Sequence, residues 1–284
     1  MERPVGVPWA AARALGRVRL QLCILIGLVV AAVPENASGQ EPPPLVGDRP
    51  DETESALSVG PGYVQFELGY SYVQLDDRVE QHQAPVTLAR IGVVPGWEAR
   101  LGFKGWRSRE RADTAGGTAA TTGVGPLLVG AKWQFKRGEG FSPDLALIGE
   151  LTLPTAKANL GPERVDPSVK LAAGHELSDA IVMGYNLGVR WLSEQSPDAP
   201  RLTRTQLLYS LVFGFALGRR AGVFGEAFGT LPLSEEGLSE HLLDGGLTYM
   251  LLHNLQLDVK AGIGLVDAAD DWLFGAGVVW RVPR

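Results

Sequence analysis

The stretch that decides the fold is Tyr63 to Gln74, YVQFELGYSYVQ, in which Val64, Phe66, Leu68, Tyr70 and Tyr72 alternate with Gln65, Glu67, Gly69 and Ser71. A period of two held over about ten residues belongs to a strand with one apolar and one polar face, and helical spacing does not produce it. The same reading holds for Trp97–Lys104, Leu127–Phe135, Ile181–Trp191 and Leu255–Ile263. In each, bulky apolar residues on one face oppose charged or amide residues on the other.

Working outward from these segments, the sequence predicts twelve strands, at about 63–74, 86–93, 97–106, 124–136, 144–154, 166–177, 181–192, 205–217, 222–231, 241–251, 255–264 and 272–281. The connections between them run about 11, 3, 17, 7, 11, 3, 12, 4, 9, 3 and 7 residues, so long and short alternate. An antiparallel up-and-down transmembrane β-barrel gives this rhythm, with short periplasmic turns, longer outer loops, an even strand number and both termini inside. Tryptophan placement agrees. Apart from Trp9, the six tryptophans Trp97, Trp106, Trp133, Trp191, Trp272 and Trp280 all fall within two or three residues of an expected strand end, where aromatic girdles meet the membrane interface. The alternative is an exported soluble barrel or sandwich whose apolar face points inward. Periodicity alone does not say which way that face looks; the loop rhythm, the girdle and the 36 glycines favour the membrane.

The chain starts with Arg3, Arg13, Arg17 and Arg19, then the twelve-residue apolar run Leu22–Val33, then PENASGQ with small residues at Ala37 and Gly39. The run is too short to span a bilayer as a helix, so residues 1–39 are expected as a cleaved signal peptide. The expected organisation is therefore a signal peptide at 1–39, a periplasmic N-terminal segment at 40–61 and an outer-membrane barrel at 62–284. The sole cysteine, Cys23, lies within the signal, which leaves an exported chain with no disulfide. Without residues 1–39 the chain keeps 22 basic and 30 acidic residues, a net charge of −8 that argues against a nucleic-acid partner.

Enzyme chemistry finds no support. His82, His175, His241 and His253 are scattered, none stands by a serine in a recognisable context, and no G-x-S-x-G occurs. The acidic stretches DAADD (Asp267–Asp271) and SEEGLSE (Ser234–Glu240) lack the spacing of a calcium loop, so neither metal nor cofactor is expected. The polar face holds the candidates instead. Glu67, Glu98, Arg100, Lys132, Glu150, Arg190, Glu226 and Asp258 are expected to line the lumen, either as a selectivity wall or as a satisfied, solvated one. Their acid excess predicts a bore that disfavours anions. Just before the first strand, GDRPDETES (Gly47–Ser55) crowds Asp48, Arg49, Asp51, Glu52 and Glu54 into nine residues. Two readings stay open: a solvated leader, or a gate that folds into the barrel mouth and pairs with lumen charges such as Lys132 and Arg281.

Five stretches together resemble the bacterial outer-membrane family named for the MetA pathway of phenol degradation: DRPDETESALSVGPGYVQFELGYSY, GWEARLGFKGW, LALIGELTLPT, LDGGLTYMLLHNLQLDVKAGIGL and DDWLFGAGVVWRV. The resemblance covers Asp48–Val282 and implies an outer-membrane barrel that moves small, aromatic or apolar compounds inward. Two departures stand out: the chain ends WRVPR rather than on the aromatic residue read by the barrel-insertion machinery, and Gly125-Pro126 stands where Gly-Asp is expected. The expected function is passive uptake through a pore or transporter, with outer-membrane lipids, lipopolysaccharide, the insertion machinery and a small solute as partners. The alternative is a structural or adhesive barrel with a plugged lumen and no transport.

Overall fold

The computed structural model describes residues 44–112, 117–157, 160–194, 202–234 and 237–283; the expected signal peptide at 1–39 and residues 40–43 lie outside the described residues. Every regular element is a strand: Tyr63–Asp76 (β1), Val79–Val94 (β2), Trp97–Phe103 (β3), Trp106–Ala112 (β4), Thr118–Val124 (β5), Leu127–Lys136 (β6), Asp144–Thr152 (β7), Asp166–Ser178 (β8), Ile181–Glu194 (β9), Leu202–Leu217 (β10), Ala221–Pro232 (β11), Glu240–Leu252 (β12), Leu255–Gly264 (β13) and Trp272–Pro283 (β14).

These strands form one antiparallel sheet that closes on itself, because β1 pairs with β14 on one side and with β2 on the other. Twelve staves make the barrel. Trp97–Phe103 and Trp106–Ala112 are two halves of one stave, interrupted at Lys104-Gly105, and Thr118–Val124 and Leu127–Lys136 are two halves of the next, interrupted at Gly125-Pro126. Proline has no N–H to give the ladder; here the break is bridged by Lys104 N to the Pro126 carbonyl (3.0 Å) and Gly125 N to the Gly105 carbonyl (2.7 Å). Among the described residues, the twelve staves pair on both sides through the belt, which is the condition for a sheet to sit in hydrocarbon, and only β5, beyond it toward the loop end, pairs on one side, with β4.

The question left by periodicity, which way the greasy face looks, is decided by exposure. Leu101, Leu187, Leu247 and Ile263 are each more than half exposed on the outer wall, whereas Arg90 and Lys132 are 0 % exposed and Arg100 1 % exposed inside. An apolar belt of this kind around a whole molecule requires lipid, not water. Aromatic rings sit at both rims of the belt. Trp97 stacks on Trp133 at 5.4 Å and Phe66 meets Trp280 at 6.1 Å toward the end that holds the termini, while Tyr72 meets Trp272 at 4.6 Å toward the opposite, loop end.

Two expected loops are strand instead. The connection predicted between 74 and 86 shrinks to a tight turn at 77–78, and the one between 106 and 124 becomes the β4–β5 hairpin, so one side of the barrel stands taller at the loop end. The segments VEQHQAP and WRSRERA carry no apolar alternation because their outer faces lie beyond the apolar belt while the inner ones hold Gln81 and Arg109, yet their backbone ladder persists. His82, expected in a loop, therefore lies on the outer face of β2, with its Nδ1 2.7 Å from the Tyr70 hydroxyl. From β8 onward the rhythm is as expected, with turns at 179–180, 218–220 and 253–254 at the terminal end.

Candidate functional site

The N-terminal segment runs inside the barrel. Residues 44–60 form no strand; they cross the bore near the terminal end and return along the opposite wall to Tyr63. An irregular chain buried there must find partners for its N–H and C=O groups, since few buried backbone polar groups go unpaired. The wall side chains supply them. The Glu67 carboxylate accepts from Asp48 N (3.0 and 3.1 Å), Glu226 accepts from the N–H groups of Glu52 and Thr53 (both 2.7 Å), and Glu98 accepts from Val59 N (2.8 Å). Asn186 serves Glu54 at both ends of its amide, accepting from its N–H (2.8 Å) and donating to its carbonyl (2.9 Å). In the other direction Arg90 donates to the carbonyls of Val46 (3.1 Å) and Leu57 (2.8 Å), and Lys132 to that of Ser55 (2.8 Å).

The centre of this arrangement is Asp48. Its carboxylate lies among three wall cations, 3.2 Å from Arg90, 2.5 Å from Arg100 and 2.9 Å from Lys132. Burial alone would push the Asp48 carboxyl up, but Arg90, Lys132 and Arg100 together hold it well below the usual carboxylate range. The cations are shared further: Arg90 with Glu98 and Glu67 (2.9 and 3.2 Å), Arg100 with Glu150 (2.9 Å) and with Glu54 (2.8 Å), and Glu54 in turn with Lys170 (2.8 Å). Each charge has a partner across strands or across the bore, which is the only way such groups persist out of water.

Farther along, Arg49 makes a three-bonded contact with Asp258, at 2.9 to 3.2 Å. Its guanidinium fills the space left by two glycines on the wall. A Cβ at Gly69 would lie 2.4 Å from Arg49 Nη1, and one at Gly277 would lie 2.4 Å from Nη2, so those positions need a residue without a side chain. Glu52 reaches Lys260 (2.7 Å), whose ammonium is also 3.2 Å from Asp244. That ammonium holds the Glu52 carboxyl down at about 2. Asp51 is pushed up to about 7 by burial, which outweighs the attraction of Lys260. Thr53 bonds to the Ser210 hydroxyl (2.7 Å) and also donates to Glu226. Ala56 packs against Ala146, Ile148 and Ala172, a small apolar foot on an otherwise ionic wall.

Of the residues the sequence pointed to, Glu67, Glu98, Arg100, Lys132, Glu150, Glu226 and Asp258 all belong to this network with Asp48, Arg49, Glu52 and Glu54. Arg190 does not; it lies nearer the loop end and donates to the Gln206 side chain at 2.7 Å. Arg281, expected to pair with the charges of 47–55, donates to the Pro44 carbonyl at 2.9 Å, at the start of the described segment. Arg90 was missed. It sits in TLARIGVV, the apolar second half of β2, where a single arginine gives no period, and only its register opposite Gln65 and Arg100 reveals that it faces the lumen.

Toward the loop end the wall changes character. Arg109 and Arg190 are oriented by neutral amide oxygens, of Gln81 (2.8 and 3.2 Å) and Gln206, and Arg107 by the Leu160 carbonyl (2.6 Å). Beside them Val73, Phe228, Leu242, Ala269 and Leu273 form an inward apolar cluster. The bore thus does not simply disfavour anions: its wall acids are engaged with the segment, and the arginines above it are not neutralised by carboxylate bonds of this kind.

No curated protein matches the chain. Among solved structures it is similar in fold to the NanC porin, with a TM-score of 0.53 at 8 % identity over 77 % of this chain and 100 % of that one. The KdgM porin, in complex with disordered oligogalacturonate, aligns with a TM-score of 0.49 at 9 % identity over 77 % of this chain and 98 % of that one. The CymD monoaromatic hydrocarbon channel aligns with a TM-score of 0.41 at 11 % identity over 80 % and 89 %. A family model described as "Putative MetA-pathway of phenol degradation" matches residues 47–282, from the buried segment to the strand that seals the barrel, and the chain belongs to that family.

Proposed function

We propose that this chain is an outer-membrane channel for a small organic solute, and that residues 44–60 close it at rest. The observation that carries this reading is the segment itself: it occupies the bore of a closed barrel and is held by hydrogen bonds and ion pairs rather than by strand pairing or a covalent link. Such contacts exchange with water and with solute, so the closure is reversible. A cargo moves along the bore without chemistry, and its gradient is the driving force. The apolar belt with aromatic rims suits an outer membrane, where lipopolysaccharide is the outward lipid partner.

A second reading has support of its own: a structural barrel, permanently filled. The density of buried pairs around Asp48 favours it. Conductance across planar bilayers and liposome swelling decide between them, measured on the intact protein and on a version lacking residues 41–60. The channel reading expects low conductance from the intact protein and a large, steady increase after the deletion, with both proteins showing the heat-modifiable migration of a folded barrel. A folded deletion protein that passes neither ions nor solute overturns it and leaves the filled barrel.

A further inference from the structure

Within 45–60 one residue is exposed, and it is charged. Glu52 stands at the apex of the segment, its side chain 55 % exposed, while the side chains of Asp48 and Glu54 are 2 % and 13 % exposed. Its side chain reaches Lys260, in the half of β13 nearer the 265–271 connection and so on the loop side of the segment. Its one short contact is with Lys260, whose ammonium is otherwise nearly covered, 11 % exposed, and rests on the buried Asp244. Lys104 and Lys170 add to the positive field at the same point.

Directly beside this carboxylate stands an apolar wall. The Lys260 ammonium lies 5.9 Å from the centre of the Phe228 ring, and Phe228 belongs to the inward cluster with Val73, Leu242, Ala269 and Leu273. A cationic donor, an aromatic face and a patch of aliphatic side chains side by side on the inner wall are complementary to a molecule with a carboxylate at one end and a hydrocarbon body. Glu52 already presents the first of these, a carboxylate on a short flexible stem, tethered to the closing segment.

We propose that Lys260, Phe228 and the cluster behind them bind a small organic acid with an aromatic or aliphatic body, and that the solute's carboxylate replaces that of Glu52 on Lys260. The exchange detaches the apex of the segment from the wall, so that binding from the loop side favours opening. This names the substrate class for the channel proposed above and rests on that reading. Proton and charge balance are simple: one carboxylate leaves Lys260 for water as another arrives, and no bond is made or broken.

The test is calorimetric titration of the intact, detergent-folded protein with benzoate, and with benzamide as its neutral counterpart. Benzoate is expected to bind and benzamide to bind at least about tenfold more weakly, since a charge-assisted contact is lost. Glu52→Gln removes the internal competitor and is expected to tighten benzoate about three- to tenfold, the range of a partly exposed ion pair. Phe228→Ala is expected to weaken it, and Lys260→Met to abolish it. Lys260→Met leaves Asp244 without its cation and can fail to fold; Glu52→Gln, at an exposed side chain, then decides alone. Equal binding of benzamide and benzoate, no benzoate binding to either wild type or Glu52→Gln, or an unchanged affinity in Glu52→Gln each overturns the proposal. Conductance after deletion of 41–60 without benzoate binding removes this inference and leaves the channel; binding without conductance overturns the channel and the opening step with it, and leaves only a binding site.

Discussion

The two halves of the bore handle the same residue types in opposite ways. In the half nearer the termini, arginine and lysine are met by carboxylates, some from the wall and some from residues 44–60, and nearly all are sealed from water. In the half nearer the loops, Arg109 and Arg190 are met by glutamine amides and stand beside an apolar cluster. A charge paired with a charge fixes a structure, whereas a charge held by a neutral dipole keeps most of its field for whatever comes next. The terminal half thus reads as the lock and the loop half as the chamber, and each prediction below tries to separate them.

The largest effect is expected at Asp48. Asp48→Ala leaves Arg90, Arg100 and Lys132 facing one another around an empty place, and removal of one partner from a buried network costs about 3–5 kcal/mol. Because the barrel has its own ladder, the loss falls on docking of the segment, and single-channel recordings are expected to show long open intervals that the intact protein lacks. An unchanged closed record would mean that the network stabilises the barrel and not the closure.

Next in size is the glycine pocket of Arg49. Gly69→Ala places a methyl group where the guanidinium lies, displaces it from Asp258 and is expected to weaken docking by about 1–3 kcal/mol, the range of a charged hydrogen-bonded contact. Gly225→Ala, on the outward face with nothing within 4 Å of the new atom, is the control and is expected to change nothing. Brief openings in Gly69→Ala but not in Gly225→Ala are the expected record.

The third concerns pH and sets Asp51 against Asp48, two acids of one segment shifted in opposite directions. Asp51 is faced by Asp244 and Glu226 of the wall, by Lys260, and by Asp48 of its own segment. Its carboxyl is raised to about 7 when docked, against an ordinary 3.8, so the docked segment holds a proton the free segment releases. Docking is therefore tightest below about pH 4, loosens as pH rises toward 7, and changes no further above that. Asp48 is held low, so its contribution is intact through this whole range and fails only in stronger acid. Open probability is expected to rise between pH 4.5 and 7.5, and Asp51→Asn is expected to flatten that rise; a slope that survives the substitution belongs to another group.

How much of this was legible beforehand follows the physics of each signal. Alternation in YVQFELGYSYVQ and its repeats gave the strands and the barrel, because within the lipid belt a side chain's partner is set by the parity of its position. Outside the belt parity loses its meaning, and VEQHQAP and WRSRERA read as loops although they extend the ladder. The wall charges stood out as polar residues among apolar ones, except Arg90, the one charge in TLARIGVV, whose lumen-facing neighbours Leu88 and Gly92 give no polar alternation. The crowded charges of GDRPDETES marked the segment as unusual, but its partners lie as far as 209 residues away along the chain, at Asp258, and no local pattern specifies which pairs will meet. Arg281 illustrates the limit: a cation facing the segment, whose bond to the Pro44 carbonyl lies outside GDRPDETES and is marked by no charge in the sequence.

The smallest effect, and the one that isolates the chamber, is expected at Arg109. Its guanidinium is oriented by Gln81 and touches no residue of 44–60, so Arg109→Gln should leave closure as it is. Its field, not cancelled by a carboxylate bond, acts on ions in the loop half, and pore selectivity follows such wall charges. In the deletion protein lacking 41–60, which is expected to conduct, the anion-to-cation permeability ratio from reversal potentials is expected to fall by about twofold with Arg109→Gln, the scale of a single screened charge. The same substitution in the intact protein is expected to leave the closed record untouched. A change in closure without a change in selectivity would place Arg109 in the lock, and the division between the two halves would then have to be drawn nearer the loops.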